Sequence, residues 1–148
     1  MKVRLKQAKI VVMAVSIGFL TVGCAGGKMS QCAGVIKVVN ATVTETKTIT
    51  AAGNNGDLST IEKSVGIFEK AAKDMESVNV SDPKLKTFKD QFIGMYQGAT
   101  TINKQLVASI KEKKLIKVNE GLRKFRDNFS PERDLATGVT QYCKEPEK

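Results

Sequence analysis

The chain of 148 residues has 24 Lys and Arg against 15 Asp and Glu, a formal net charge of +9, and no histidine. The missing imidazole excludes Ser-His and Cys-His catalytic pairs, histidine-ligated zinc or haem, and a histidine pH switch. Trp is absent and there are only 2 Tyr, so little aromatic surface is available for stacking bases. We therefore expect neither a cofactor nor a nucleic-acid partner.

The N-terminal segment is typical of an export signal. Four basic residues and no acidic residue precede residue 10, and residues 10–22 form an uncharged, mostly apolar run of 13 residues. A run of this length is short for a membrane-spanning helix, which needs about 20 residues. We therefore expect residues 1–23 to direct export.

The apolar run is followed by a sequence that resembles the bacterial lipobox. Residues 20–24 read Leu-Thr-Val-Gly-Cys. In the lipobox, cleavage precedes a cysteine that has been diacylated on its sulfur. Its residue three before the cysteine is usually Leu, whereas Thr21 stands there in this chain and Leu20 precedes it. The resemblance implies a lipoprotein precursor with signal peptide 1–23, acylated at Cys24 and anchored in membrane lipid. An uncleaved anchor helix or an ordinary signal-peptidase site is the alternative.

Cleavage before Cys24 would leave 125 residues, enough for one domain, and would lower the net charge to +5. That charge suits anionic lipid headgroups or acidic envelope polymers, although a solvated surface also accounts for it. We expect the protein in the bacterial cell envelope, membrane-anchored and facing the periplasm. Placement in the inner or the outer membrane is open.

Two cysteines remain after acylation of Cys24. Cys32 and Cys143 lie at the two ends of the mature domain, with 110 residues between them. In an oxidising compartment we predict that they form a disulfide. Two free buried thiols are the alternative.

The first two helices are predicted from periodicity and from start and stop signals. Residues 24–31 are expected to form a short lipidated tether, and the first helix runs from about Ser30 to Ala52. Residues 42–50 also alternate and are rich in β-branched side chains, so a strand is the alternative there. Residues 53–56, Gly-Asn-Asn-Gly, predict a turn, after which Asp57 can cap the second helix.

Two more helices follow. Residues 81–83, Ser-Asp-Pro, give a strong helix start. One helix from there to Phe129 would be about 70 Å long, so we place a break between Lys111 and Lys117. Pro131 predicts a kink or a restart within the fourth segment. The apolar positions of this fourth helix are Leu115, Val118, Leu122, Phe125 and Phe129.

These segments predict an all-α fold, an antiparallel up-down four-helix bundle whose last helix is kinked or broken at Pro131. In such a bundle the first helix begins where the fourth ends, so Cys32 and Cys143 meet only if the number of helices is even. The domain would cover residues 32–143, and residues 144–148 would form a flexible tail.

No arrangement of residues predicts a catalytic or metal site. The carboxylates are scattered, whereas a glycosidase needs two that face each other across a cleft. Met29, Met75 and Met95 lie in different segments, and a di-metal bundle needs Glu-x-x-His motifs. We expect the protein not to be an enzyme.

One cluster of basic residues lies near the predicted turn between the third and fourth helices. Lys111, Lys113, Lys114 and Lys117 would stand at the end of the bundle away from the cysteines. They could contact an anionic envelope polymer, such as peptidoglycan or lipopolysaccharide, or an acidic periplasmic protein. Ordinary surface charge is the alternative.

Four short motifs lie within residues 24–143: Gln31-Cys32, Val80-Ser81-Asp82-Pro83-Lys84-Leu85, Phe92 to Tyr96, and Tyr142-Cys143. They make the chain similar to small uncharacterised cyanobacterial lipoproteins. The resemblance implies the helical architecture and no particular activity. We expect a non-catalytic binding or structural module of the envelope. A carrier or sensor of a small apolar ligand and a carboxylate-only hydrolase are the alternatives.

Overall fold

The computed structural model describes residues 27–52 and 57–146. The predicted signal peptide, Cys24 and the predicted turn at residues 53–56 lie outside the described residues. Within the described ranges the chain is helical and has no strand, which confirms the all-α prediction. The helices are α1 (Lys28–Ala52), α2 (Leu58–Ser77), α3 (Pro83–Lys111), α4 (Leu115–Phe129) and α5 (Glu132–Lys144).

Helix α1 remains helical through its Thr-rich half, so the strand alternative for residues 42–50 is wrong. The hydroxyls there donate to carbonyls one turn earlier: Thr42 to Val38 at 2.9 Å and Thr46 to Thr42 at 2.8 Å. This bonding satisfies the hydroxyls inside the helix, although β-branched residues lower helix propensity. The helix begins at Lys28, so residues 28–31 of the predicted tether are helical rather than flexible.

Two helices begin where the cap signals predict. The Asp57 carboxylate accepts from the Thr60 amide at 2.6 Å at the start of α2. The Asp82 carboxylate accepts from the Leu85 amide at 2.8 Å at the start of α3, where Pro83 is the first helical residue. Each carboxylate satisfies an amide that has no partner within its own helix.

Helix α3 ends at Lys111, inside the predicted break. The amide of Lys113 donates to the Ile110 carbonyl at 3.0 Å, and the amide of Lys114 donates to the Ser109 carbonyl at 2.9 Å. These two bonds form a Schellman motif, which requires a left-handed residue after the C-cap. Lys113 occupies that position with φ 56°.

The break predicted at Pro131 is also present. Helix α4 ends at Phe129, and α5 begins at Glu132. Proline has no amide hydrogen to donate to the preceding turn, so α4 cannot continue through it unchanged. The Pro131 carbonyl instead accepts from the Leu135 amide at 2.9 Å in the first turn of α5.

The core lies where α2 and α3 meet the other helices. Helix α2 packs on α1 and α3, and α3 also contacts α4 and α5. The buried ring of Phe68 on α2 lies 6.3 Å from the Tyr96 ring on α3 and 5.2 Å from the Phe129 ring on α4. Aromatic pairs at these separations add to the stabilisation from burial. One aromatic cluster therefore joins three helices.

Helix α4 approaches α3 closely through small residues. None of its residues is fully buried. A Cβ added at Gly121 would lie 2.6 Å from the Leu106 side chain, so a larger residue there would force this buried side chain to move. The Asn128 amide also donates to the Met95 carbonyl at 2.8 Å. This close approach and the Asn128 hydrogen bond thus add to the contacts that Phe125 and Phe129 of α4 make with Phe68.

A disulfide joins the two ends of the described fold, which confirms the predicted pair. Cys32 on α1 and Cys143 on α5 are bonded, with their Cα atoms 5.9 Å apart, and both are buried. The Tyr142 hydroxyl donates to the Asp82 carboxylate at 2.5 Å beside this bond. This hydrogen bond lowers the pKa of Asp82 and raises the pKa of Tyr142 to about 12.

Candidate functional site

The candidate site is the connection between α3 and α4, residues 111–117, which we call the basic turn. All seven residues are exposed. The Schellman motif ends α3 and turns the chain so that α4 starts at Leu115. Four lysines and one glutamate give this segment a charge of +3.

Two of its lysines have carboxylate partners. The Lys111 ammonium lies 2.8 Å from the Glu62 carboxylate on α2, and the Lys114 ammonium lies 2.5 Å from Glu112. The hydrogen bond from Lys114 and its charge lower the pKa of Glu112, and Lys117 adds a smaller effect. Glu112 therefore stays ionised and compensates part of the local positive charge.

The other two lysines have no such compensation. Within residues 27–52 and 57–146, no carboxylate forms an ion pair with Lys113 or Lys117. Their ammonium groups are thus available to an anionic partner. Lys113 also adopts the left-handed conformation, which costs an L-residue roughly 1–2 kcal/mol and would cost glycine almost nothing. A costly conformation of this kind is typical of functional segments.

The basic turn also carries two adjacent apolar side chains that the sequence pattern did not assign to the site. Leu115 is 55% exposed and Ile116 is 77% exposed. The prediction that Leu115 faces the core is wrong. Helix α4 starts at Leu115, within the exposed basic turn, so its first residues do not reach the core. Phe125 and Phe129, further along α4, do contact Phe68. The helical spacing could have indicated that Ile116 is exposed, since this residue does not lie among the apolar positions of α4.

The basic turn lies far from the disulfide along α3. Asp82 caps the start of α3 and bonds Tyr142 next to the disulfide, whereas the basic turn follows the end of α3. With 29 residues and a rise of 1.5 Å per residue, α3 is about 43 Å long. The disulfide and the basic turn therefore lie near opposite ends of the longest helix.

A second surface feature is a half-open groove beside the start of α1. It has a volume of about 610 Å³ and lies between α1 and the end of α2. The Gln31 side chain closes one side of it by accepting from the backbone amides of Ser81 and Asp82 at 2.7 and 3.1 Å. Its lining combines charged Lys37 and Asp74 with small and polar side chains.

Several other polar side chains are buried, half-buried or paired. The Asn103 amide donates to the Ser64 hydroxyl at 2.7 Å between α3 and α2. The Tyr96 hydroxyl is buried, and burial raises its pKa. Burial also raises the pKa of Glu132, whereas Glu69 forms an ion pair with Lys104 that lowers its pKa. These groups lie in separate places and do not form one cleft.

The described part of the chain offers neither a metal site nor a membrane-spanning helix. Residues 27–52 and 57–146 contain no group of three or more His, Cys, Asp or Glu side chains that could hold a metal ion. In the same ranges, no helix has the length and apolar character needed to cross a membrane. Comparisons with protein-family models, curated proteins and solved structures found no match for this chain.

Proposed function

We propose that this chain is the precursor of a lipid-anchored envelope protein that acts as a non-catalytic binding module. In this proposal acylated Cys24 holds the mature domain at the membrane, and the basic turn contacts an anionic partner in the periplasm. The observation that carries the proposal is the exposure of all seven residues of the basic turn, with Lys113 and Lys117 unpaired by any described carboxylate.

The proposal includes an antiparallel up-down arrangement of the helices, with α4 and α5 together as the fourth arm. Three contacts support it. The start of α2 meets the end of α3 through Glu62 and Lys111. Residue Asn128, late in α4, bonds Met95, which precedes the middle of α3. Tyr142 near the end of α5 bonds Asp82 at the start of α3.

The distance from Cys24 to the helical domain supports an upright orientation. Helix α1 begins at Lys28, and four extended residues span at most about 14 Å. The disulfide end would then lie close to the anchoring bilayer. Because α3 is about 43 Å long, the basic turn would project into the periplasm.

The anchor is tested by Cys24→Ala. Two acyl chains give stable membrane attachment, so loss of the acylation site should leave unprocessed precursor or a soluble form. Membrane fractionation and the mass of the product distinguish these outcomes from normal processing. A variant that stays with the membrane at the normal mature mass would contradict lipidation at Cys24.

The binding surface is tested by changing the four lysines of the basic turn to Gln. Binding to isolated envelope material at low salt should fall, and wild-type binding should weaken as salt is added. Far-UV circular dichroism should be unchanged, because exposed ion pairs are worth only about 0–1 kcal/mol each. Equal binding by wild type and variant would show that the four lysines are ordinary surface charge and do not bind the partner. The matched control changes four exposed lysines elsewhere to Gln: Lys37, Lys73, Lys86 and Lys144.

A further inference from the structure

The basic turn combines unpaired positive charge with apolar side chains that nothing in the described fold covers. Leu115 and Ile116 are adjacent in the first turn of α4, and they are 55% and 77% exposed. Lys114 and Lys117 flank them directly in the sequence. A partner that matches this surface must offer both anionic groups and an apolar environment.

Two classes of anionic partner differ in whether they offer an apolar environment next to their charged groups. A hydrated polysaccharide offers charge and hydroxyl groups but no apolar region in which Leu115 and Ile116 could be buried. An anionic bilayer offers phosphate groups at its surface and acyl chains directly below them. Of these two classes, the bilayer alone matches both the lysines and the apolar pair.

The shape of the basic turn also suits a flat surface. The turn stands at the end of α3, and every residue from 111 to 117 is exposed. Lysine side chains are long enough to reach back to the headgroup layer while a neighbouring apolar side chain lies deeper. Lys113 and Lys117 can therefore contact phosphates while Ile116 enters the acyl region.

We propose that the basic turn inserts into the surface of a second anionic lipid bilayer, opposite the membrane that holds acylated Cys24, with Leu115 and Ile116 in the acyl region and Lys113 and Lys117 on the phosphates. This inference rests on the proposed function, because it assigns the anionic partner of the same surface. It adds a specific role for the two apolar side chains.

The absence of Trp from the chain makes the test direct. In the full chain, Ile116→Trp introduces a single indole into the basic turn, and Thr101→Trp places the matched control at an exposed position about two thirds of the way along α3. With phosphatidylglycerol vesicles, the fluorescence of the tip indole should shift to shorter wavelength and be quenched by lipids brominated on their acyl chains. The emission of the control indole should not change.

The contributions of charge and of apolar side chains to insertion are measured separately in the Ile116→Trp variant. Near an anionic surface each lysine is worth about 1 kcal/mol, so changing Lys113 and Lys117 to Gln should lower the ratio of inserted to solvent-exposed indole about thirtyfold. Leu115→Ser should lower that ratio without a change in circular dichroism, because Leu115 is exposed. Phosphatidylcholine vesicles should give no shift.

The results also separate this inference from the proposed function. If the four Lys→Gln changes abolish envelope binding but the tip indole stays in water with phosphatidylglycerol vesicles, an anionic polymer or protein is the partner and the bilayer inference is wrong. If the lysines affect neither readout, both proposals fail. If the tip indole inserts equally into phosphatidylcholine vesicles, the lysines do not select the surface and the inference is also overturned.

Discussion

Removal of the Cys32–Cys143 disulfide is expected to cost a large part of the stability of this fold. The bonded residues are 111 apart in sequence, and the chain-entropy model gives about 4.7 kcal/mol for a loop of that order. Small domains are typically stable by about 5–15 kcal/mol. The Tyr142–Asp82 hydrogen bond still joins the end of α5 to the start of α3 without the disulfide, but it does not restrict the unfolded chain. We therefore expect Cys32→Ala with Cys143→Ala to lower the free energy of unfolding by about 4 kcal/mol.

Urea unfolding followed by far-UV circular dichroism measures this difference. The dependence on urea should be steeper for the double variant, because an unfolded chain without the cross-link exposes more surface. Reduced wild-type protein serves as the control and should match the double variant closely. An unfolding free energy within about 1 kcal/mol of the oxidised wild type would show that loop closure does not limit the unfolded state.

Two further substitutions test local features of the structure. Lys113→Gly should stabilise the protein by about 0.5–1 kcal/mol in thermal unfolding, because glycine adopts positive φ without strain, whereas Lys113→Ala should give no gain. Burial raises the pKa of Glu132, so its ionisation opposes folding as pH rises above the unfolded value of about 4.3. Glu132→Gln should therefore melt at a higher temperature than wild type at neutral pH and at the same temperature below that pKa; a difference in melting temperature that does not depend on pH would contradict this assignment.

The helix starts could be predicted because their causes are local. A carboxylate at the cap position satisfies amides three residues away, so Asp57 and Asp82 mark the starts of α2 and α3 from sequence alone. The break at Pro131 also has a local cause, because proline has no amide hydrogen to donate. The disulfide was predictable for a different reason, since only two cysteines remain once Cys24 is set aside.

The details of the core were less accessible because they depend on contacts between distant segments. The buried Asn103 on α3 has its hydrogen-bond partner, Ser64, on α2, and no local pattern relates these two residues. Tyr96 is buried beside Phe92, although a phenol at a helix position one step off the apolar stripe would ordinarily face water. The burial of these two polar side chains follows from how the helices pack, and the periodicity of the sequence alone does not determine that packing.

The basic turn shows where local rules and the observed structure disagree most. Glycine is the usual residue after a helix C-cap, and its absence from residues 111–114 left helix length as the only reason to expect a break. The chain instead has Lys113 in the left-handed conformation and leaves Leu115 and Ile116 exposed immediately afterwards.

The positive φ of Lys113 weakens the folded state, the exposed Leu115 and Ile116 contribute little to it, and both departures fall within residues 113–116. Sequences generally agree with their fold at every level, and departures concentrate where a segment has a function besides folding. Glycine in place of Lys113 would remove the strain, and serine in place of Ile116 would remove exposed apolar surface, yet either change would also remove a charge or an apolar contact from the tip. At Lys113 the cost to stability and the proposed bilayer contact therefore depend on the same residue, so Lys113→Gly should make the protein more stable and its basic turn less able to bind.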